Sequence, residues 1–432
     1  MTEKILDDKI LNILRDEIKQ SKPGLFLNAL HNNEAKQEIK ELLKNHRLLN
    51  SEEKITYAFN ELVGLGLFED LISDPNVTDI GYNGTKLFIE GLNGKYEYQG
   101  EVSEETIKKV IERFAQAIGK EFSPKYPILD AQLANVRLNA VHGDIARNGT
   151  TMSMRLARAK KVLHKENFHQ MAPIEVYYLL KDFVEIGSNI MIAGETGTGK
   201  TELTKLLAGF IPDDMKTIMI EDVLETHLKT LYPEKDILSW LATGETGYSD
   251  LIKAGLRNNP KYLIISEIRG DEASDFYDGI LSSHSGITSI HAMGARAIED
   301  RFINMIKRTH PNMDVESYRK DIYRYFNLAI HIEKTTVNGR TRRYISEVAE
   351  YTENGLITLY SQIMRYEHEA SYDVHFGKVS SETASDFVKA GVKSEWNSMI
   401  DQYMDEERSG KTNMNYKFVD EHGRTSMLGG IK

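Results

Sequence analysis

Hydrophobic and polar positions alternate with two different periods along this chain, and the changes of period outline its domains. Residues 1–56 carry apolar side chains at helical spacing among many charged ones, which predicts amphipathic helices in an N-terminal appendage. From Val77 to Tyr98 the pattern changes to short β-type runs, interrupted by Asn83-Gly84 and Asn93-Gly94, dipeptides that favour tight hairpin turns. We therefore expect a β-meander after the helices.

A helix is predicted directly after this meander. Ser103 is a favourable N-cap residue, and Glu104 and Glu105 would lie in the first turn, where acidic side chains interact favourably with the helix dipole. The apolar positions of this helix share one face: Ile107, Val110, Ile111, Phe114 and Ile118. Residues 57–158 are therefore predicted to form a small α+β domain.

The second half of the chain has the pattern of a parallel sheet with crossover helices. The predicted strands of this sheet are Asn189–Ala193, Thr217–Ile220, Tyr262–Ile265 and Ile287–Ile290. After about residue 329 the pattern returns to β-type segments near Asn-Gly turns, of which Arg343–Tyr351 is the best strand. A charged, unpatterned linker at residues 159–173 precedes this α/β domain, which we assign to residues 174–366. The polar residues 367–432 are predicted to form a loosely attached tail.

Composition limits the location and the chemistry of the protein. Of its 432 residues 41% are hydrophobic, but no run approaches the ~20 consecutive apolar residues that cross a bilayer. The charged N-terminus lacks the apolar region of a signal peptide, and the absence of cysteine excludes disulfides and thiolate metal sites. We therefore expect a cytoplasmic protein.

The formal net charge of −11 argues against a surface that wraps nucleic acid. The densest basic cluster is Arg155, Arg158, Lys160 and Lys161, which either faces the phosphates of a nucleotide or is a solvated linker. No direct sequence-specific binding of nucleic acid is expected.

The strongest chemical motif is the run Gly194-Glu195-Thr196-Gly197-Thr198-Gly199-Lys200-Thr201, which matches the P-loop pattern G-x-x-x-x-G-K-[ST]. Glycines at these positions let backbone N–H groups wrap around phosphates without interference from a Cβ atom. Lys200 is expected to neutralise the β- and γ-phosphates, and Thr201 to ligate Mg²⁺. A predicted strand precedes the run and a predicted helix follows it, so the sequence predicts a site for ATP and Mg²⁺.

Three acidic residues, Glu221, Asp222 and Glu225, follow the next predicted strand. The carboxyl ends of parallel strands are where open α/β sheets bind ligands. These carboxylates would bind Mg²⁺ through water or orient the water that attacks the phosphate. The alternative is an ordinary helix N-terminus, which also favours acids.

A buried-type strand that begins at Tyr262 leads to Glu267. A glutamate at this strand end lies against the γ-phosphate and can polarise the attacking water, so Glu267 is the catalytic candidate. The alternative is a simple ion pair with Arg269. His284 and His291 flank the following strand, and for isolated histidines a structural role is the commoner one.

These four stretches, in this order, resemble the secretion ATPase superfamily of type II and type IV secretion, conjugation and pilus assembly, nearest to its type IV secretion and tight-adherence pilus branches. Gly194–Thr201 resembles its Walker A motif, Thr217–Glu225 its Asp box, Leu256–Glu272 its Walker B region and Ser282–Ala292 its His box. Upstream, residues 64–83 and 130–155 resemble the amino-terminal domain of that family.

The resemblance implies a RecA-type ATPase domain behind the smaller α+β domain, and a homohexameric ring with nucleotide between the two domains. It implies nucleotide contacts for Arg137 and Arg155, whose planar, always charged groups suit phosphate. Further candidate site residues in the matching motifs are Asp222, Arg257, Arg269, His284 and His291. The implied partners are integral membrane and other components of a secretion or pilus machine at the inner face of the cytoplasmic membrane.

The chain departs from the family pattern at several positions. Ser266 stands where glycine is usual, Gln132 replaces an arginine, Thr226 stands where leucine is common, and the His box is one residue shorter. These departures indicate a divergent branch.

An ATP-hydrolysing motor is therefore the leading hypothesis. A nucleic-acid motor of the RecA type would require basic strand-binding loops, for which the acidic chain offers little. A scaffold that binds ATP without hydrolysing it is a second alternative, against which Lys200, Thr201 and Glu267 argue. A P-loop small-molecule kinase would need an acceptor pocket and a lid.

Overall fold

The computed structural model describes residues 5–22, 25, 29, 33–62, 67–91, 94–133, 136–157, 159–243, 245–337, 340–366, 370–408, 417–419 and 425–427. The chain divides into two compact units, Met1–Arg158 and Ala159–Lys432. Asn93 of the second predicted turn, residues 64–66 of the resembling segment and Arg158 of the basic cluster lie outside the described residues.

The first unit begins with helices, as the amphipathic pattern predicts. Helices α1 (Asp8–Ser21), α2 (Asn33–Lys44) and α3 (Glu52–Leu62) bury their apolar faces in a common core. Asp7 caps α1, because its carboxylate accepts a hydrogen bond from the backbone N–H of Lys9. A short helix, α4 (Leu67–Ser73), leads from these helices to the sheet.

A six-stranded antiparallel sheet with one helix packed on it completes the first unit. The elements are β1 (Val77–Tyr82), β2 (Leu87–Gly91), β3 (Gly94–Glu97), α5 (Glu104–Ala117), β4 (Ile128–Leu133), β5 (Val136–Val141) and β6 (Thr151–Leu156). The spatial order of the strands is β3-β2-β1-β6-β5-β4. The Ser103 side chain caps α5 by accepting a hydrogen bond from the Thr106 N–H, and the apolar face of α5 lies buried on the sheet, so this predicted helix is confirmed.

The second unit is built on a nine-stranded sheet in the order β15-β14-β13-β12-β7-β11-β10-β8-β9. The strands are β7 (Ile190–Gly194), β8 (Thr217–Glu221), β9 (Ile237–Leu241), β10 (Tyr262–Ile265), β11 (Ser285–Ile290), β12 (Leu328–Val337), β13 (Arg340–Thr352), β14 (Gly355–Tyr366) and β15 (Ala370–Phe376). The six strands from β12 to β9 are parallel, and the three at the other edge are antiparallel. The α/β fold with a parallel-rich sheet is therefore confirmed.

Helices cover both faces of this sheet. They are a 3₁₀ helix (Lys165–Gln170), α6 (Ile174–Glu185), α7 (Lys200–Phe210), α8 (Leu228–Leu231), α9 (Tyr248–Leu256), α10 (Glu272–Leu281), α11 (Arg296–Thr309) and α12 (Val315–Tyr325). Successive strand residues face opposite layers: Ile190 and Ile192 lie in one apolar core, and Met191 and Ala193 in the other. Among the described residues, none of the helices is both long and apolar enough to span a bilayer.

Two predictions, about the segments at the start and at the end of this unit along the chain, are wrong. Part of the predicted linker at residues 159–173 is packed, because Phe168, Met171 and Ala172 are buried in the core of the second unit. The buried residues of a 3₁₀ helix recur with neither the period of an α-helix nor that of a strand, so the hydrophobic pattern did not predict this segment.

The predicted loose tail is also packed over residues 370–408. Strand β15 pairs with β14, and α13 (Ser381–Lys389) and α14 (Trp396–Arg408) follow it. The Trp396 ring is buried in the same core, and its Nε1–H donates to the carbonyl of Gly377 at 2.8 Å. Further on, β16 (Lys417–Val419) and β17 (Thr425–Met427) form a two-stranded hairpin.

Candidate active site

The predicted P-loop lies between the carboxyl end of β7 and the first turn of α7, as its motif requires. Gly194 has φ +154° and Gly199 has φ +104°, conformations that side chains with a Cβ rarely adopt. A Cβ at Gly194 would also lie 2.5 Å from the Ile332 carbonyl oxygen and 2.7 Å from Thr198 Oγ1. The loop is therefore a tight backbone cradle, of the kind that takes an anion at a helix N-terminus.

Lys200 lies inside this cradle and is only 8% exposed. Its Nζ donates hydrogen bonds to the carbonyl oxygens of Gly194 at 2.8 Å and Glu195 at 3.0 Å. Burial lowers the pKa of Lys200, and the negative charge of Glu267 is the largest influence that opposes this shift. A cation is thus held at the centre of the loop. Thr196 and Gly197 are exposed at the tip of the loop.

The three acidic residues at and beyond the carboxyl end of β8 have three different sets of partners. The fully buried Glu221 carboxylate accepts hydrogen bonds from the Glu225 and Thr226 N–H groups and from Thr226 Oγ1, at 2.9 to 3.0 Å. Burial raises the pKa of Glu221, and these hydrogen bonds oppose the shift. Residues 222–227 are not helical, so the alternative that these acids belong to the first turn of a helix is wrong. The described residues contain no group of three or more acidic or histidine side chains placed to hold a metal ion, so the predicted convergence of the three carboxylates is not seen.

Two of these acids instead meet neighbours in the site. The Thr201 hydroxyl lies 3.4 Å from Glu225 Oε2. Asp222 Oδ2 accepts a hydrogen bond from Nη1 of Arg269 at 2.7 Å.

Glu267 lies just beyond the carboxyl end of β10, with its side chain 13% exposed. Its Oε2 accepts a hydrogen bond from Nη2 of Arg269 at 2.7 Å. Its Oε1 is 2.7 Å from Nε2 of His291. That contact lacks hydrogen-bond geometry, and within the described part of the chain Oε1 is a buried oxygen without a hydrogen-bond partner. The carboxylate is therefore held through one oxygen and offers the other.

Ser266 joins this region through a side-chain network. Its Oγ is 2.9 Å from the hydroxyl of Tyr248, the first residue of α9, and that hydroxyl donates to Asp222 Oδ1 at 3.1 Å. Ser266 does not have a positive φ, so its backbone does not need the freedom of the glycine usual at this position.

The structure separates the two predicted histidines. Strand β11 runs parallel to β7, so His291 follows its carboxyl end at the P-loop edge and His284 precedes its opposite end. The six residues of β11 span about 20 Å, so His284 lies at the amino-terminal end of the parallel strands, opposite the P-loop. His284 Nδ1 instead contacts the Gly279 carbonyl oxygen at 3.3 Å, and Arg257 is exposed beyond the end of α9.

The two arginines expected to contact nucleotide are neighbours in the first unit. Arg137 of β5 is the cross-strand partner of Arg155 of β6, which in turn is the partner of Asp79 on β1. Arg155 Nε donates to Asp79 Oδ1 at 2.9 Å, and Arg137 Nη2 lies 3.4 Å from Asp130 Oδ2. The sheet register thus places two guanidinium groups together on one face.

A basic pair on the β12–β13 hairpin also reaches the P-loop, and sequence reasoning missed it. Arg343 Nε donates to the Gly197 carbonyl oxygen at 2.7 Å. Lys334 Nζ lies 3.5 Å from the point where a Cβ of Gly197 would stand. The two are cross-strand partners, so they share one face of the hairpin. They lie more than 130 positions after the loop, and only the pairing of β12 with β7 reveals their proximity.

The donors at the P-loop edge fit a nucleotide with Mg²⁺. The Thr201 hydroxyl and the Glu225 carboxylate are hard oxygen donors, and Mg²⁺ takes one or two such protein ligands beside phosphate oxygens and water. The cradle that excludes a Cβ and the cation at its centre fit the phosphates.

Comparison with known proteins gives relatives over most of the chain. A family model described as "Type II/IV secretion system protein" matches residues 129–318. An uncharacterized protein of Bacillus anthracis is 40% identical over 378 residues, which cover 83% of this chain and 86% of that protein. The type IV secretion system protein VirB11 of Brucella suis is 34% identical over 181 residues, 39% of this chain and 49% of that protein. The type IV secretion system protein PtlH of Bordetella pertussis is 33% identical over 170 residues, 38% of this chain and 50% of that protein. The family match contains the P-loop and the acidic residues Glu221, Asp222, Glu225 and Glu267.

Proposed function

Because this chain belongs to the secretion ATPase superfamily of type II and type IV secretion systems, we propose that it is a motor that hydrolyses ATP to ADP and phosphate. One observation carries the proposal: the tight P-loop cradle, which has no room for a Cβ at Gly194, encloses the buried cation of Lys200. Phosphoryl transfer to water needs such a cation for the phosphates and a carboxylate for the attacking water, which Glu267 supplies just beyond the carboxyl end of β10.

The P-loop binds the phosphates in this proposal. Backbone N–H groups of Gly194–Thr201 surround them, and Lys200 Nζ exchanges the two carbonyl oxygens that it now contacts for phosphate oxygens. Thr201 and Glu225 hold Mg²⁺, directly or through water. Bound Mg²⁺ would offset negative charge on the phosphates.

Glu267 is the catalytic residue for the attacking water. Within the described part of the chain its Oε1 has no hydrogen-bond partner, so it accepts a proton from the water as the water oxygen bonds to the γ-phosphorus. The bond from the γ-phosphorus to the bridging oxygen of ADP breaks, and ADP leaves with that electron pair. Arg269 keeps Oε2 occupied and so fixes the orientation of the carboxylate.

Glu221 has a positioning role rather than a catalytic one in this mechanism. Both of its carboxylate oxygens are engaged by Glu225 and Thr226, which fixes the bend that carries Glu225 toward Thr201. Thr226 contributes a hydroxyl to this bend, where leucine is common in the family.

The motor is proposed to work as a homohexameric ring, with Arg137 and Arg155 of the first unit contacting the nucleotide. The adjacent placement of these guanidinium groups on one sheet face supports the proposal, because two fixed cations suit a phosphate better than one. Loss of the γ-phosphate would release the first unit, and the resulting motion would act on a membrane-embedded partner. The proposed location is peripheral, at the cytoplasmic face of the membrane, in a type IV secretion, conjugation or pilus machine.

Steady-state ATP hydrolysis over a concentration series, with mass measured in parallel, tests the proposal. We compare the wild type with Lys200→Ala, Glu267→Gln and, as a control, Glu234→Gln, which alters an exposed glutamate on a loop. We expect turnover that rises with assembly, disappears in the first two variants and persists in the control, while Glu267→Gln still binds ATP. Binding of ATP by the wild type without turnover at any concentration would refute hydrolysis and favour the scaffold.

A further inference from the structure

The hydroxyl of Tyr248 lies between two polar groups at the site. It is 3.1 Å from Asp222 Oδ1 and 2.9 Å from Ser266 Oγ. A tyrosine hydroxyl has one proton, and a carboxylate only accepts. Tyr248 therefore donates to Asp222, and Ser266 Oγ–H donates to Tyr248.

This chain of donors continues to the catalytic glutamate. Asp222 accepts from Arg269 Nη1 through its other oxygen, and Arg269 Nη2 donates to Glu267 Oε2, both at 2.7 Å. The guanidinium is planar, so the position of Asp222 determines where Nη2 points. An uninterrupted path of hydrogen bonds thus connects the Ser266 hydroxyl to the Glu267 carboxylate.

The path is not needed to hold the strand end. The Ser266 N–H donates to the Ile220 carbonyl oxygen at 2.9 Å, and Ser289 Oγ donates to the Ser266 carbonyl oxygen at 2.7 Å. Main-chain pairing on both sides of β10 therefore fixes the backbone without the Ser266 side chain. The Ser266 hydroxyl instead donates to the Tyr248 hydroxyl, which in turn donates to Asp222.

We propose that Tyr248 and Ser266 are positioning residues for ATP hydrolysis, which act through Asp222 and Arg269 to fix the orientation of Glu267. This inference rests on the proposed catalytic role of Glu267. Ser266 thereby contributes a hydrogen bond that glycine, usual at this position in the family, cannot make. Breaking the path loosens Arg269 and lets Oε2 of Glu267 lose its charge-assisted hydrogen bond for part of the time.

The test measures kcat, KM and ATP binding for the full chain with Tyr248→Phe, with Ser266→Ala and with both. We expect each variant to lower kcat by roughly three- to tenfold, equivalent to about 0.7 to 1.4 kcal/mol, with KM within about twofold of the wild type. The double variant should lose no more than either single one, because both break the same path. A fall in kcat at unchanged KM and unchanged ATP binding separates loss of Glu267 orientation from a general loss of the site.

Tyr277→Phe is the matched control, because Tyr277 donates to Asp321 at 2.6 Å in a second tyrosine–aspartate pair, between α10 and α12. It should leave kcat and KM unchanged. A wild-type kcat in Ser266→Ala would overturn the inference, and this variant alone decides if Tyr248→Phe does not fold. Wild type that binds ATP without turnover would overturn the proposed function, and a wild-type rate in Glu267→Gln would overturn the catalytic role on which the inference rests. Inactive Glu267→Gln beside fully active Ser266→Ala would overturn the positioning role only.

Discussion

Replacing Lys200 by Met should weaken ATP binding and leave the free energy of unfolding nearly unchanged, because this lysine is buried in a loop that fits a ligand. Lys200 is 8% exposed, and its ammonium donates hydrogen bonds to the carbonyl oxygens of Gly194 and Glu195. Burial lowers the pKa of Lys200, so the folded protein without ligand holds this charge at a cost. Met keeps most of the apolar stem of lysine and removes the ammonium.

The magnitudes follow from these contacts. Hydrogen bonds to a charged donor contribute about 1.5 to 3 kcal/mol each, and burying one ammonium costs several kcal/mol, so the two nearly cancel. We expect the free energy of unfolding without ATP to change by less than about 1 kcal/mol. Loss of the phosphate contact should cost about 3 kcal/mol of binding, which raises the Kd for ATP about a hundredfold.

Lys205→Met, about one turn further along α7, should have the opposite effect: lower stability with unchanged ATP affinity. Lys205 is 3% exposed and lies 2.7 Å from Glu202 Oε1. Removing one partner of this pair should lower the free energy of unfolding by about 2 kcal/mol, because Glu202 keeps some contact with water, and leave the Kd for ATP unchanged. Chemical denaturation and titration calorimetry measure both quantities. Loss of stability in Lys200→Met without loss of ATP affinity would refute the assignment of Lys200 to the phosphates.

Three further predictions concern Arg343 at the P-loop, Glu350 at the start of α13, and Glu104 in the first unit. Arg343→Ala should raise the Kd for ATP about fivefold, since a contact of about 1 kcal/mol to the Gly197 carbonyl is lost, and calorimetry would detect it. Glu350→Ala should lower the free energy of unfolding by about 3 kcal/mol in denaturant titrations and expose α13 to protease, because the buried Glu350 accepts three hydrogen bonds from the first turn and cap of that helix. Hydrogen bonds from Thr150 lower the pKa of Glu104 to about 2 from 4.5, so its stabilising contribution is complete above pH 4.5 and is lost as the pH falls toward 2. Glu104→Gln should accordingly destabilise the protein to urea at neutral pH, and the difference from the wild type should shrink as the pH falls through that window.

Periodicity predicted the N-terminal helices, the meander and α5, because the burial of these elements follows a simple period. Four of the five parallel strands from β7 to β11 were placed within two residues of their observed ends, since each is buried throughout and lies between covered faces, whereas β9 was not predicted. The P-loop was predicted in full because its local glycines, lysine and threonine carry the whole geometry.

The linker and the tail were mispredicted for a different reason. Phe168 and Trp396 are single large aromatic residues in polar surroundings, and one such residue anchors a segment without producing any period. Lys334 and Arg343 could not be connected with the loop either, because their place depends on strand order, which the local pattern does not encode. The meeting of Tyr248 with Ser266 has the same origin, since it joins the start of a helix to the end of a strand.

The two hypotheses for Glu267, a catalytic carboxylate and a partner of Arg269, turn out not to exclude each other. Arg269 engages Oε2 and shares its second Nη group with Asp222, so the ion pair leaves Oε1 available. An isolated carboxylate at a strand end would rotate between several positions, and phosphoryl transfer depends mainly on the position of the attacking water. The ion pair therefore fixes the direction in which Oε1 points. On this reasoning Arg269→Lys, which keeps the charge but cannot bridge two carboxylates in one plane, should lower kcat more than it raises KM.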